Sequence, residues 1–283
     1  MASEEPTAPD LTDGGPVDQG PVSMGEHCTS DTPLAADAGT PYGEIIKLGD
    51  VDCYITKPAD YPHSNCKLLL FLTNGVGLHS INNQLQADHY SKEGGFLVVM
   101  PDLFDGDPAP QAGATKTAET TGQESMIEQF KVKAAEGIKL LMIDLWLARH
   151  TPEKTLPIVL SVLAAAKHEF ADAASQYVLK LAATAEITAG AVAHGTAITI
   201  EDIQAVERPV SFVCVDDDAL FSDEVREGGR KDLLERGIEH EMKVYNGVPH
   251  GFAVMGSYSD GKVQRAQKDA NNQMLEWLIN HET

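Results

Sequence analysis

Short apolar runs, bounded by turn residues, recur along the chain from Gly43 onward, and such runs predict β-strands. The first two runs flank Gly49, which predicts an antiparallel hairpin. The runs KLLLFLT and FLVVM are almost wholly apolar, as in parallel strands that helices cover on both faces. In chain order, the predicted strands are 44–47, 51–56, 67–73, 96–100, 189–193, 210–215 and 240–245.

Helical periodicity fills most of the stretches between the predicted strands. The predicted helices are 81–93 with Ser80 as its N-cap, 125–150, 157–170, 223–236 and 261–281. This alternation predicts an α/β fold with a mostly parallel sheet flanked by helices. One stretch is unusual. No Gly or Pro interrupts the chain between Pro157 and about Glu186, so it could form one helix of roughly thirty residues, more than twice the usual ~11–12.

Residues 1–40 differ from the rest in composition. They are rich in acidic residues, Pro, Gly and Thr, contain no Lys or Arg, and hold few large apolar residues. Such a segment cannot bury enough apolar surface to fold, which predicts a disordered acidic arm before a single domain at 41–283. We therefore expect deletion of residues 1–35 to leave the melting temperature nearly unchanged.

The charge balance excludes several classes of partner. The chain carries 21 Lys and Arg against 43 Asp and Glu, a net charge of −22, which disfavours binding to nucleic acid or to an anionic membrane surface. No apolar stretch approaches the ~20 residues of a membrane span, and the first residues lack the features of a secretory signal. The four cysteines, at 28, 53, 66 and 214, lack zinc-like spacing, so we expect a reduced, cytoplasmic protein without metal or cofactor.

Two polar loops follow predicted strands and carry the candidate chemistry. Asp216, Asp217 and Asp218 come directly after the strand 210–215, and His250 lies beside Gly251 in the turn after the strand 240–245. The order of acid before histidine matches the catalytic triads of α/β-hydrolases, in which a carboxylate orients an imidazole that acts as general base.

Each of these residues also has a simpler interpretation. Asp218 could be an acid at a helix N-terminus, and His250 could be a surface loop histidine. Their order and spacing together favour the catalytic pair. His194, after the strand 189–193, could line the same site or serve as a structural loop histidine.

Three runs resemble the dienelactone hydrolase family, especially its fungal branch: 41–110, 208–224 with the sequence RPVSFVCVDDDALFSDE, and 243–254 with KVYNGVPHGFAV. The similarity extends over about residues 40–281. It implies an α/β-hydrolase fold that hydrolyses small lactones or carboxylic esters through a Cys-Asp-His triad. The resemblance also implies Asp218 as the acid, His250 as the base, and Gly75 as a backbone N–H donor to the oxyanion hole.

The nucleophile of that family has no counterpart here. The family carries G-x-C-x-G at a tight turn between a strand and a helix, whereas no Cys or Ser in this chain has Gly at both −2 and +2. Cys214 lies inside a predicted strand, where a small buried residue is the simpler role.

The resemblance also explains the unusual helix, because in the family a strand and its elbow separate two helices that here join at Ala174/Ser175. We therefore expect the sheet to lack one central strand and the hydrolase to be impaired. A non-catalytic ligand-binding or scaffold protein and an exon-skipped gene product remain open, as does the oligomeric state. The expected ligand is a small lactone or ester.

Overall fold

The computed structural model of the protein describes residues 30–34, 38–62, 66–110, 138, 141–170, 178–184, 187–196 and 198–281. The strands are β1 Glu44–Leu48, β2 Val51–Thr56, β3 Leu68–Leu70, β4 Leu97–Pro101, β5 Gly190–Ala193, β6 Val210–Val215 and β7 His240–Tyr245. The helices are α1 Ile81–Gly94, α2 141–149, α3 Pro152–Glu169, α4 Val178–Ala182, α5 Ile200–Gln204, α6 Asp223–Glu235 and α7 Gly261–Asn280. The predicted α/β fold with parallel strands between helices is confirmed.

The strands form two separate pieces of sheet. The first has the order β1-β2-β4-β3, in which β1, β2 and β4 pair antiparallel and β3 pairs parallel with β4. The second, β5-β6-β7, is entirely parallel. Among the described residues, β3 and β5 are therefore each paired along one side only.

The ends of the helices follow from local chemistry. Ser80 begins α1 as predicted, because its hydroxyl accepts a hydrogen bond from the backbone N–H of Asn83 at 3.1 Å. Sequence reasoning missed the short helix α5, although its signal is present: Thr199 and Asp202 form a capping box, in which each side chain accepts from the other residue's backbone N–H.

The predicted helix 157–170 is present, but it does not continue to Glu186 as one long helix. Helix α3 begins earlier, at Pro152, where a missing N–H costs nothing, and it ends at Glu169. Phe170 leaves the helical region, with φ −118° and ψ 56°. The proposed junction at Ala174/Ser175 and most of the predicted helix at 125–150 lie outside the described residues.

Part of the predicted arm contacts the body of the protein. The hydroxyl of Ser80 donates to Asp31 at 2.5 Å, and the Thr32 and Pro33 carbonyls accept from Asn82 and Ser257 at 2.7 Å each. Three consecutive residues are thus docked against the start of α1 and the loop before α7. Residues 1–29 lie outside the described residues, so the boundary at residue 40 stays a prediction.

In the part of the chain that the structure describes, none of the helices combines the length and the apolar composition needed to cross a membrane.

Candidate active site

A histidine–aspartate pair lies at the carboxyl end of the parallel strands. His250 Nδ1 is 2.7 Å from Asp218 Oδ2, and the two side chains are 11% and 3% exposed. A carboxylate can only accept, so the Nδ1–H of His250 donates this bond. The structure thus brings together two predicted site residues that are 32 positions apart in the chain.

The loops fix both side chains. The second carboxylate oxygen of Asp218 accepts from the backbone N–H of Leu220 at 2.9 Å, so both oxygens are engaged. The neighbouring residues Asp217 and Gly251 have φ values of 53° and 87°, in the left-handed region. Asp is among the few residues that tolerate this region next to Gly, which explains how these two turns can form.

Asp218 is held as a carboxylate. Burial by itself would raise its pKa, but the hydrogen bonds from His250 and Leu220 favour the charged form and outweigh it, as does the electrostatic influence of His250 and His194. The pKa of Asp218 therefore lies below its ordinary value. A charged aspartate in contact with Nδ1 keeps the proton on that nitrogen and leaves Nε2 as the basic atom.

The ring of His194 packs against those of His250 and Phe252, and the three form an aromatic group beside Asp218. Its ring centroid is 5.2 Å from that of His250 and 6.0 Å from that of Phe252, with edge-on geometry in both cases. Its backbone adopts φ 33°, while its N–H donates to the Val213 carbonyl within β6. Strained backbone of this kind clusters at functional sites. Of the two interpretations left open by the sequence, the structure supports the one that places His194 at the site.

A cavity of about 650 Å³ adjoins this group and is lined mainly by apolar side chains. Gly75 and His194 lie on its wall. The Asn74 carboxamide fixes the turn that carries Gly75, because its Oδ1 accepts from the Val76 N–H at 3.1 Å and from Asn83 Nδ2 at 3.0 Å. Gly75 thus lies in a fixed turn after β3, on the wall of the same cavity as His194, and its role as an oxyanion donor stays a prediction.

The chain is similar to several known hydrolases. The model of the "Dienelactone hydrolase family" matches residues 173–282, the part of the chain that carries Asp218 and His250. "Hydrolase pyvD" of Aspergillus violaceofuscus is 28% identical over 249 residues, which cover 85% of this chain and 91% of that protein. "Dienlactone hydrolase 1" of Gibberella moniliformis is 27% identical over 252 residues, 85% of this chain and 88% of that protein.

Over residues 173–282 the chain is similar to the dienelactone hydrolase family.

Solved structures show the same fold. The crystal structure of a putative dienelactone hydrolase from Klebsiella pneumoniae matches with a TM-score of 0.60 at 15% identity, covering 83% of this chain and 97% of that one. A thermophilic esterase from Thermogutta terrifontis matches with a TM-score of 0.52 at 12% identity, covering 85% and 94%. At such low identity these structures establish the α/β-hydrolase-like architecture and nothing further.

The thiols that the structure describes do not suit the nucleophile of a dienelactone hydrolase. Cys53, Cys66 and Cys214 are all buried, and Cys214 lies within β6 with no exposed surface. Burial raises the pKa of Cys53 and of Cys214 to about 12 and also raises that of Cys66. A thiol of this kind is protonated at neutral pH and is a poor nucleophile. Cys28 lies outside the described residues.

A second aspartate–histidine pair borders the same cavity, and sequence reasoning missed it. Asp107 Oδ2 lies 2.9 Å from His150 Nε2 and accepts from Arg149 Nε at 3.0 Å, while the Asp107 carbonyl accepts from Trp146 Nε1 at 2.7 Å. The hydrogen bonds from His150 and then Arg149 lower the pKa of Asp107. Asp107 lies in a loop and His150 follows a helix about forty positions later, so no sequence motif indicates the pair.

Three exposed carboxylates, those of Asp216, Asp217 and Asp223, come within 4.8 Å of one another in the part of the chain around Asp218, the acid of the His250–Asp218 dyad. Exposed acids of this kind are common without an ion, and Ca²⁺ and Mg²⁺ prefer six or more oxygen ligands. The family resemblance implies no cofactor, and the dyad needs none for acid–base chemistry.

Proposed function

We propose that this dienelactone hydrolase homologue hydrolyses small lactones or carboxylic esters with impaired efficiency, because its acid–base pair lacks the cysteine nucleophile. The observation that carries the proposal is the 2.7 Å hydrogen bond between His250 and Asp218. The ring of His194 contacts that of His250 and also lines an apolar cavity of about 650 Å³, so the pair lies beside this cavity. A cavity of this size and character suits a small, largely apolar ester.

The reaction would then proceed by direct attack of water. His250 Nε2 takes a proton from water while the water oxygen attacks the carbonyl carbon, and Asp218 stabilises the imidazolium that forms. The resulting oxyanion receives a hydrogen bond from the Gly75 N–H. Collapse of this intermediate expels the alcohol, to which His250 returns the proton. The products are a carboxylic acid and an alcohol, or a hydroxy acid when the substrate is a lactone.

Two losses lower the rate of this reaction. Without a covalent intermediate, one difficult step is no longer divided into two easier ones. The second oxyanion donor, the N–H that follows the nucleophile in α/β-hydrolases, is absent along with the G-x-C-x-G motif. Sites without their nucleophile retain at most ~10³–10⁴ over the uncatalysed rate.

The test compares the natural chain with a variant that carries an inserted apolar strand and G-x-C-x-G between Ala174 and Ser175. We expect p-nitrophenyl acetate turnover by the natural chain to be at least ~10³-fold below that of the variant. Iodoacetamide should leave the natural activity unchanged and abolish that of the variant. Natural turnover on the ordinary scale of ~1–10³ s⁻¹, lost on alkylation, would contradict the missing nucleophile.

The residual activity should depend on the dyad. His250→Gln should remove it, whereas His168→Gln, a matched change on the exposed face of α3, should leave it intact. Equal activity in both variants would show that the dyad takes no part in catalysis.

A non-catalytic ligand-binding protein is the second candidate, and the buried, protonated state of the three described thiols favours it. In that case the natural chain and His250→Gln would have the same background turnover, while an ester analogue would still bind in the cavity.

A further inference from the structure

His250 lies in the long irregular loop between β7 and α7. The backbone around it forms two tight turns, in which Phe252 N–H donates to the Pro249 carbonyl at 3.2 Å and Val254 N–H donates to the Gly251 carbonyl at 3.1 Å. A loop without a regular ladder of hydrogen bonds needs donors from other elements for its remaining carbonyl groups. The position of His250 therefore depends on the side chains that hold this loop.

Three carboxamide side chains of α7 supply such donors. Each donates a side-chain N–H to a backbone carbonyl of the loop, and the three are Gln264, Gln267 and Asn271. Spacings of three and four positions place them on one face of the helix. We call these three residues the amide stripe.

The bonds of the amide stripe lie close to His250 along the chain. Asn271 Nδ2 donates to the Ala253 carbonyl at 3.1 Å, and Gln267 Nε2 donates to the Val254 carbonyl at 2.6 Å. Ala253 and Val254 come three and four residues after His250. Movement of either carbonyl therefore changes the turns that carry the imidazole.

The carboxamide of Asn271 is itself oriented by α1. Its Oδ1 accepts from Gln86 Nε2 at 3.0 Å and from the Tyr90 hydroxyl at 3.3 Å, and all three side chains are buried. Gln86 Oε1 in turn accepts from the Met255 N–H of the same loop at 3.3 Å. Because two donors approach the oxygen of Asn271, its nitrogen is left to face the loop carbonyl.

We propose that the amide stripe holds His250 in register with Asp218, with Gln267 and Asn271 as positioning residues for the candidate base. Carboxamides do not titrate, so they hold the loop equally well before and after His250 takes up a proton. A displacement of about 1 Å at a reacting group can lower a rate about 10²-fold. The expected effect on turnover rests on the proposed function, whereas the expected effect on the His250–Asp218 hydrogen bond does not.

The experiment removes donors without changing side-chain volume. In the full chain, Asn271→Asp and Gln267→Glu each replace a donor N–H by a carboxylate oxygen, so that a loop carbonyl loses its donor and faces an acceptor. Asn272→Asp is the matched control, because it makes the same change at the next residue, on the exposed face of α7.

The main readout is the exchange with water of the His250 Nδ1–H, measured by NMR at pH 7 and assigned by its loss in His250→Gln. We expect exchange at least about tenfold faster in both variants of the amide stripe, since the turns that protect this hydrogen bond then open more often. Asn272→Asp should match the natural chain. The kcat for p-nitrophenyl acetate should fall by at least about tenfold in the same two variants.

Lower melting temperatures with an unchanged exchange rate would overturn the proposal, because the amide stripe would then support the fold without positioning the base. An equal change in Asn272→Asp would overturn it as well. If Asn271→Asp does not fold, Gln267→Glu decides alone, since Gln267 is only half-buried. Faster exchange in a chain whose turnover does not depend on the dyad would contradict the proposed function and support this inference.

Discussion

At the scale of single residues, Asp218 couples the candidate chemistry to stability. Its pKa is lowered in the folded protein because, against the effect of burial, hydrogen bonds from His250 and Leu220 favour the carboxylate. A group whose pKa is depressed on folding stabilises the protein above its unfolded pKa of about 3.9. That stabilisation is lost as the pH falls through the folded value.

We therefore expect Asp218→Asn to lower the free energy of unfolding by about 1–3 kcal/mol at pH 7, the range for a lost hydrogen bond to a charged group. The difference from the natural protein should shrink at pH 3, where the natural carboxyl is increasingly protonated. Urea unfolding at both pH values measures this. Asp217→Asn is the matched control, since it is exposed and Asn tolerates its φ of 53°. An equal loss at both pH values would show that charge is not the cause.

At the scale of elements, the docked segment 31–33 supports the start of α1. Asp31 binds Ser80, the N-cap itself, and Thr32 binds Asn82 in the first turn. A hydrogen bond of this kind contributes about 1 kcal/mol net.

Deletion of residues 1–35 should therefore destabilise the protein by about 1–3 kcal/mol, a fall in melting temperature of roughly 2–10 °C for a domain of this size. This replaces the expectation of no change that the composition of the arm gives. Deletion of residues 1–29, which keeps all three contacts, should leave the melting temperature within about 1 °C. Thermal unfolding of both deletion variants measures these changes. Equal falls in melting temperature would show that the docked segment adds no stability.

At the scale of the whole molecule, the interrupted sheet limits stability as well as chemistry. β3 and β5 border a cavity of about 650 Å³, part of which a strand in the position implied by the family resemblance would fill, and the walls of a cavity lose van der Waals contacts. The variant with an inserted strand and G-x-C-x-G should therefore melt higher by about 5 °C or more, which corresponds to ~1–2 kcal/mol.

A second insertion with alanine in place of the cysteine separates the two effects. It should melt as high as the first but show no gain in esterase turnover. Insertions that lower the melting temperature would show that the chain does not accept a strand at this junction.

How much the sequence predicts differs between elements. Apolar runs such as FLVVM and VSFVCV predicted the buried strands, because a strand covered on both faces must be apolar at every position. The end of α3 was predicted to within one residue, whereas its start at Pro152, five residues before the predicted Pro157, was not. Helix α5 could have been predicted from the Thr199–Asp202 capping box but was missed.

Asp218 and His250 were predictable because order along the chain reflects the order of strand ends, and both follow parallel strands. The contact of His194 with His250, the pair Asp107–His150 and the docking of Asp31 on Ser80 were not, since each joins loops whose positions no local pattern encodes. The sequence by itself determined the fold class, the acid–base pair and the absence of G-x-C-x-G. Only the tertiary structure decided that β3 and β5, which belong to separate pieces of sheet, border the same apolar cavity, because strand pairing depends on which distant segments meet and not on either segment alone.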